Sequence, residues 1–382
     1  MFGSKSIIGL DVGSSKVKAI QLKKKGNRLE LERFGIADVF PNGDRSAAQG
    51  DVRQLQMQAV RRALEAGKIN AKYCVSAVSG ESIIVRYIQL PQMPEAELKN
   101  ALRWEAEEYI PFSIEEVNID SVVLGPSATQ GKVDVLLCAA KKDMVSDHLE
   151  IVRSVNLTPA VVDVDSFAFL NTFEYCYQPQ PTDCVALVNI GAEITNINIY
   201  IGGTSRFSRD ISVAGNAITQ SIAQKTGLPF AQAEELKQIL GAPLPEDQGE
   251  NDEEEESSLI SSIRGTVERI TGSDLGDDSQ EATAARAARN TLVQLISEIR
   301  RSIQFFENQA GGATISKLLL GGGSSRMPHL ADFMASELEV PVEILDPLRN
   351  IAVSSSVDQA LLSNSKEFLG VGIGLALREK VA

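Results

Sequence analysis

One pattern occurs twice in this chain, and its repetition restricts the folds open to the sequence more than any other feature. The first copy, "IIGLDVGSSKVKAIQL" (7–22), consists of an apolar strand, a small polar turn and an alternating strand. The second copy, "CVALVNIGAEITNINIYI" (184–201), has the same order. A single unit of this kind is a common hairpin, and most such hairpins bind nothing. Two units, each beginning one half of the chain, indicate an internal duplication.

Both turns have the composition of a phosphate-binding loop. Gly13, Ser14 and Ser15 let the main chain approach an anion closely, so two facing turns can hold a polyphosphate with backbone N–H groups. Asp11, at the end of the first strand, is a candidate to hold Mg²⁺ through water, and Lys16 is a candidate phosphate ligand. For one turn alone, a turn-capping role for Asp11 is the better interpretation. The second copy favours the magnesium role.

A third glycine-rich segment, "LLLGGGSSRMPHL" (318–330), follows a buried strand and precedes a helix. A turn without side chains lets the main chain lie against a base or ribose, and a helix N-terminus favours a nearby anion. The segment has no Walker A lysine and does not match G-x-G-x-x-G, so neither a P-loop nor a dinucleotide fold is indicated. An ordinary strand-to-helix turn is the alternative.

The composition argues against several classes of protein. The chain has 37 basic and 51 acidic residues, a net charge of −14, which disfavours binding to nucleic acid or to anionic lipid. Only two histidines are present, so chemistry based on histidine has little to use. The four cysteines form no C-x-x-C pair, as in a reduced cytoplasmic protein. No apolar run approaches the ~20 residues of a membrane span, so we expect any membrane association to go through a partner.

The length of 382 residues favours two or three domains. Residues 81–160 read as strand, helix, strand, strand and helix, which predicts a small inserted subdomain. The acidic run at 245–258 is predicted to be a solvated loop rather than a metal site.

In order and spacing, the three glycine-containing motifs resemble the phosphate-1, phosphate-2 and adenosine motifs of the actin/Hsp70/sugar-kinase ATPase superfamily. "VAGNAITQSIA" (213–223) and "AEELK" (233–237) resemble two further segments of its bacterial members. The resemblance implies an α/β fold with two actin-like lobes, built from duplicated ribonuclease H-like units, that binds ATP and Mg²⁺. The nucleotide-binding residues that it implies are Gly13, Ser14, Ser15, Lys16, Asn189, Gly191, Ala192, Gly215, Glu234, Lys237, Gly322, Gly323 and Ser324.

The resemblance also sets the expected domains. Lobe 1 comprises 1–80 and 161–183, with 350–382 packing back on it, and lobe 2 comprises 184–349, including the acidic insertion. Residues 81–160 are expected to form the inserted subdomain, which resembles the SHS2-type subdomain of FtsA.

Two long segments, 90–117 and 134–171, are similar to those of the PilM family of actin-like type IV pilus assembly proteins. That resemblance implies a cytoplasmic ATP-binding adaptor beneath the inner membrane, with a role in twitching motility. Such an adaptor binds the N-terminal cytoplasmic tail of the membrane protein PilN, in a groove between the core and the inserted subdomain. It links the alignment complex to the assembly platform and the motor ATPases, and self-association is left open.

The helix predicted over "AELKNALRWEAEEYI" (96–110) has an apolar stripe that suits either the subdomain core or a peptide groove. The core is the more common role for such a stripe. The candidate groove residues are Leu102, Trp104, Tyr109 and Phe112.

One residue departs from the superfamily pattern. Asn189 stands where phosphate-2 motifs usually have an aspartate, and a neutral amide neither charges a metal site nor takes up a proton. The remaining catalytic candidates are Asp11 and, near the segment that connects the lobes, Asp163 or Asp165, between which the sequence does not choose. We therefore expect ATP to be bound tightly and hydrolysed slowly or not at all.

Two alternatives belong to the same superfamily. A filament-forming division protein similar to FtsA would have a C-terminal membrane tether, which the ending "FLGVGIGLALREKVA" does not predict. A small-molecule kinase would need an acidic base facing a substrate, and no residue is evident for that role.

Overall fold

The structure is a computed structural model that describes residues 7–26, 28–40, 52–243 and 278–381. The acidic run at 245–258, predicted to be a solvated loop, lies outside the described residues. The strands are β1 (Ile7–Val12), β2 (Lys16–Lys25), β3 (Arg28–Asp38), β4 (Tyr73–Val78), β5 (Ile83–Pro91), β6 (Val117–Pro126), β7 (Lys132–Lys141), β8 (Thr158–Val164), β9 (Val185–Ile190), β10 (Thr195–Ile201), β11 (Thr204–Ile211), β12 (Lys317–Gly321), β13 (Val342–Ile344) and β14 (Ile351–Val353). The helices are α1 (Val52–Ala66), α2 (Glu95–Tyr109), α3 (Lys142–Arg153), α4 (Asp165–Tyr177), α5 (Gly215–Thr226), α6 (Phe230–Leu240), α7 (Asp278–Gln309), α8 (Leu330–Leu338), α9 (Gln359–Ser363) and α10 (Gly370–Val381).

Two large sheets share one topology. The first has the order β14-β3-β2-β1-β4-β8 and the second the order β11-β10-β9-β12-β13. In each, three consecutive strands form an antiparallel meander, and the first of them pairs in parallel with a later strand. The predicted duplication and the actin-like two-lobed fold class are therefore confirmed. We call the first sheet with its helices the first lobe, and the second sheet with its helices the second lobe.

Two helices, α4 and α10, pack between the lobes. A single apolar cluster joins Val75 of the first sheet to Leu187 of the second through Phe169 on α4 and Leu375 on α10. The glycine-rich sequence of α10 permits this close packing, because a Cβ at Gly374 would lie 1.6 Å from the carbonyl oxygen of Ala168.

The third sheet, β5-β7-β6, forms a small unit with α2, which we call the insert. Alternation along its strands divides the apolar residues between two faces. Leu137 and its neighbours pack against α2, whereas Val85 and Ala140 pack against the first lobe. α3 lies within the range predicted for the inserted subdomain, 81–160, and its Ile151 and Val152 pack into the core of the first lobe.

No helix among the described residues is both long enough and apolar enough to cross a membrane.

Candidate functional site

A cavity of about 680 Å³ lies between the lobes, and both glycine turns border it. We call it the cleft. Asp11, Asp165 and all of the residues predicted to bind nucleotide line its walls: Gly13, Ser14, Ser15, Lys16, Asn189, Gly191, Ala192, Gly215, Glu234, Lys237, Gly322, Gly323 and Ser324.

The two turns have matching geometry. The amide of Gly13 donates to the carbonyl oxygen of Lys16 at 3.2 Å, and the amide of Gly191 donates to that of Ile194 at 3.0 Å. A Cβ at either glycine would lie 2.8 Å from the same carbonyl oxygen, so each turn closes only around glycine. The duplication therefore extends to hydrogen bonds within the site.

Each turn also leaves an amide available to a ligand. Within the described residues, no hydrogen bond uses the amides of Ser14 and Ala192, and both residues line the cleft. Such backbone donors, on turns that face one another, suit the oxygens of a polyphosphate.

Asp11 forms an ion pair with Lys18, whose Nζ lies 3.0 Å from the carboxylate. Both side chains are largely buried in the wall of the cleft. Sequence reasoning missed Lys18, although cross-strand pairing could have identified it, because Lys18 lies directly opposite Asp11 in the β1–β2 register. Lys16, the predicted phosphate ligand, lies at the rim and pairs with Asp38.

The structure separates the two carboxylates between which the sequence did not choose. Asp165, at the start of α4, lines the cleft. Burial, followed by the negative charge of Asp11, raises the pKa of Asp165 to about 7. Asp163 lies outside the cleft lining, and its carboxylate is 3.1 Å from Nε of Arg378 on α10. Asp163 is therefore placed to tie α10 to β8 rather than to face a ligand.

The phosphate-2 and adenosine segments meet at one carbonyl group. The oxygen of Gly191 accepts from the amide of Gly215 at 3.1 Å and from Oγ of Ser324 at 3.3 Å. A Cβ at Gly215 would lie 2.4 Å from that hydroxyl oxygen. Close packing at Gly215 therefore holds the second turn, the start of α5 and the glycine turn after β12 together.

An ion pair between a buried lysine and a partly exposed glutamate forms another part of the wall. Nζ of Lys237 lies 2.6 Å from Glu234 and also donates to the carbonyl of Gly215 at 3.2 Å and to Thr219 at 3.0 Å. The side chain of Lys237 is only 3% exposed. Burial lowers the pKa of Lys237, and the carboxylate of Glu234 opposes that shift. These bonds fix the positions of both side chains beside the cleft.

Phe368 lines the cleft near the glycine turn and was missed from the sequence. Its ring lies 5.4 Å from the guanidinium of Arg326 and 5.7 Å from Nζ of Lys16. A Cβ at Gly323 would lie 2.7 Å from the ring, so glycine is needed there for the aromatic side chain to pack. This wall is suited to stacking against a flat base.

A second cavity, of about 740 Å³, lies between the insert and the second lobe, and we call it the groove. β5 forms one side, and β11 and α7 form the other. The rings of Phe207 and Phe305 are 6.0 Å apart on the second side, and the guanidinium of Arg209 lies 3.1 Å from Glu298. β5 and β11 are both edge strands of their sheets.

The predicted groove residues on and after α2 lie elsewhere. Leu102 is 4% exposed in the core of the insert, so it offers no surface to a peptide. Trp104 and Tyr109 are exposed by 73% and 39% on α2, which covers the face of the insert sheet turned away from the first lobe. Phe112 lies 4.3 Å from Nζ of Lys141. None of the four candidates is among the described residues that line the groove, and their role in binding a peptide stays a prediction.

Comparisons with known proteins identify relatives across the whole chain. The sequence model of the family described as type IV pilus assembly protein PilM matches residues 9–251, and that of cell division protein FtsA matches residues 186–360. Among curated proteins, cell division protein FtsA of Escherichia coli (strain K12) is 24% identical over 96% of this chain and 90% of its own length.

Solved structures agree with these matches. The chain is similar to the PilM-PilN type IV pilus biogenesis complex, with a TM-score of 0.76, 28% identity and coverage of 98% of both chains. It is also similar to MreB 5 of Spiroplasma citri bound to AMPPNP, with a TM-score of 0.50 and 11% identity over 99% of this chain and 97% of the other. At that identity, the second likeness shows the shared fold alone. The family resemblance predicted from the motifs is confirmed.

Proposed function

The chain belongs to the PilM family of type IV pilus assembly proteins, and on that premise we propose that it is an ATP-binding adaptor for the cytoplasmic N-terminal tail of PilN. The proposal that the chain binds ATP rests on one observation, the pair of matching turns on opposite sides of one cleft. The peptide half is supported by similarity to the PilM-PilN complex over 98% of both chains.

ATP with Mg²⁺ fits the donors around the cleft. The amides of Ser14 and Ala192 would bind phosphate oxygens, and Lys18 would supply positive charge beside them. Asp11 would hold the magnesium ion through water, with phosphate oxygens as further ligands. Glu234 and Lys237, held by their ion pair, would bind the adenosine half together with the glycine turn after β12.

Slow hydrolysis is the expected consequence of the residues in the second lobe. The amide of Asn189 donates to Asn196 at 2.9 Å and has no ionisable proton, so Asn189 cannot act as a base. Asp165, with a pKa near 7, is the residue proposed to position a water molecule. Bound ATP would then act mainly as a brace between the lobes, and steady-state turnover of about one per second, an ordinary enzyme rate, would refute this part.

The groove is the proposed binding site for the PilN tail. It lies between the edge strands β5 and β11, whose outer backbone groups can accept an extended segment as an added strand. The rings of Phe207 and Phe305 offer an apolar contact to alternate side chains of such a segment. Through this tail the adaptor would associate with the inner membrane and link the alignment complex to the platform and the motors.

The test is a calorimetric titration of the full chain with a synthetic peptide of the cognate PilN tail, with and without ATP and Mg²⁺. A scrambled peptide of equal composition is the control. We expect saturable binding of the tail peptide alone. If the tail peptide does not bind under either condition, the adaptor function is refuted.

Similarity to FtsA supports a second candidate function, the formation of filaments. Nucleotide-dependent pelleting of the purified chain, combined with failure to bind the tail peptide, would favour it. Pelleting in addition to peptide binding would mean that the adaptor self-associates.

A further inference from the structure

Three polar side chains form a hydrogen-bonded row across the second sheet, beneath the second turn. Nδ2 of Asn189 donates to Oδ1 of Asn196 at 2.9 Å, and Nδ2 of Asn196 donates to Oδ1 of Asp210 at 2.8 Å. Asn196 lies directly opposite both partners in the strand registers, so the row crosses β9, β10 and β11 at one level. The second oxygen of Asp210 accepts from the backbone amide of Gly80 at 2.6 Å, just before β5.

This row spans the distance between the two cavities. Asn189 and Asn196 line the cleft, whereas Asp210 and Gly80 line the groove. Asn189 and Asn196 are 8% and 2% exposed, so water competes little for their hydrogen bonds. The cleft and the groove therefore share one continuous chain of bonds.

Both side-chain bonds of the row donate towards Asp210. The NH₂ group of Asn196 donates to one oxygen of Asp210, and the backbone N–H of Gly80 donates to the other. Accepting from Asn196 at one end fixes the orientation of that amide, which in turn fixes the orientation of Asn189. The carbonyl oxygen of Asn189 takes no part in the bonds of the row.

We propose that the row from Asn189 through Asn196 and Asp210 to Gly80 couples nucleotide binding in the cleft to peptide binding in the groove. A ligand that shifts the second turn moves Asn189, and the row passes that shift to Gly80 and the adjoining strand β5. The inference rests on the proposed function, because it concerns the same two ligands. It adds Asp210 and Asn196 as positioning residues.

The experiment compares the peptide dissociation constant with and without ATP and Mg²⁺ in the full chain and in Asp210→Asn. An asparagine at 210 has an NH₂ group in place of one of the two acceptor oxygens, so it breaks one of the two bonds to Asp210 with little change in volume. Asp134→Asn is the matched control. Asp134 pairs with Arg206 at 2.6 Å between the insert and the second lobe, yet it lines neither cavity.

In the unchanged protein and in the control, we expect nucleotide to change the peptide dissociation constant about 5- to 150-fold, the usual range of allosteric coupling. In Asp210→Asn the ratio should fall to within about twofold of one. A ratio near one in the unchanged protein, or an unaltered ratio in Asp210→Asn, overturns the coupling. If Asp210→Asn does not fold, Asn196→Ser takes its place, since it breaks the middle of the row and keeps the bond to Gly80.

Hydrogen exchange of residues 80–86 on adding ATP and Mg²⁺ tests the row without the peptide. We expect nucleotide to alter this exchange in the unchanged protein and in Asp134→Asn, but not in Asp210→Asn. If the peptide does not bind, the adaptor function is refuted, but the hydrogen-exchange measurement still tests the row. If nucleotide does not alter the exchange of residues 80–86 in the unchanged protein, the proposed role of the row is wrong.

Discussion

Replacing Asp165 by asparagine should stabilise the protein, and the gain should grow with pH. The carboxyl group lies in the wall of the cleft, where burial and the negative charge of Asp11 raise its pKa from an ordinary 3.8 to about 7. Because the folded pKa is the higher one, the folded state holds the proton more tightly than the unfolded chain does. The carboxyl therefore does not lower the free energy of unfolding below pH 3.8. It lowers that free energy increasingly as the pH rises from 3.8 to 7.

The size of the effect follows from the two pKa values. Between them, each pH unit costs about 1.4 kcal/mol of folding free energy. The penalty that asparagine removes is then about 2 kcal/mol at pH 5 and about 4 kcal/mol at pH 8, with little change above that. With about 2.1 cal/mol/K of unfolding entropy per residue, 1 kcal/mol shifts the Tm of a chain of 382 residues by about 1.2 °C, so the difference in Tm should widen by about 2 to 3 °C between those pH values.

Thermal unfolding of Asp165→Asn and of the unchanged protein, measured from pH 5 to pH 9, tests this reasoning. Asp120→Asn is the control, because Asp120 is an exposed carboxylate on β6 that does not line the cleft. Its Tm difference should stay constant with pH. If the Tm difference for Asp165→Asn stays constant or shrinks as the pH rises, the carboxyl is not held beside Asp11 in a poorly hydrated wall.

Three further changes test other parts of the two cavities. Lys237→Met removes a cation that is 3% exposed and holds the wall of the cleft, so ATP affinity measured by calorimetry should fall about 10- to 100-fold. Gly191→Ala places a Cβ 2.8 Å from the carbonyl oxygen of Ile194, which opens the second turn; ATP affinity should fall at least about tenfold with Mg²⁺ present. Phe305→Ala removes an exposed ring from the groove, and peptide affinity should fall about 5- to 30-fold, whereas Val293→Ala, outside the groove on the same helix, should leave it unchanged.

The duplicated fold could be predicted because its evidence is local. Strand alternation and a glycine turn are patterns of consecutive residues, so the two copies of the repeat can be recognised without knowledge of any distant contact. The end of the insert could not be placed in this way. The amphipathic pattern of α3 shows that one face is buried, but it does not show that Ile151 and Val152 face the first lobe rather than the insert.

The candidate residues of the cleft and of the peptide site can be divided in the same way. Turn glycines were found because a tight turn needs them at fixed places in the sequence. Lys18 and Asp210 act through strands that pair side by side, and their roles depend on register. The exposed Trp104 was included among the predicted groove residues because the apolar stripe of α2 does not show which of its side chains reach the surface.

Equivalent positions in the two copies of the repeat hold different residues, so the two lobes contribute differently to the cleft. Asp11 ends β1 and bonds to its cross-strand partner Lys18, and Asn189 ends β9 and bonds to its cross-strand partner Asn196, at 3.0 and 2.9 Å. A carboxylate only accepts and an ammonium only donates, so the first pair ends at two charged groups, which we propose bind magnesium and phosphate. An amide both donates and accepts, so the second pair continues into a third residue, Asp210. With asparagine in place of aspartate, the second copy of the repeat has at the cleft a neutral side chain that both donates and accepts, and this side chain begins the row of hydrogen bonds towards the groove.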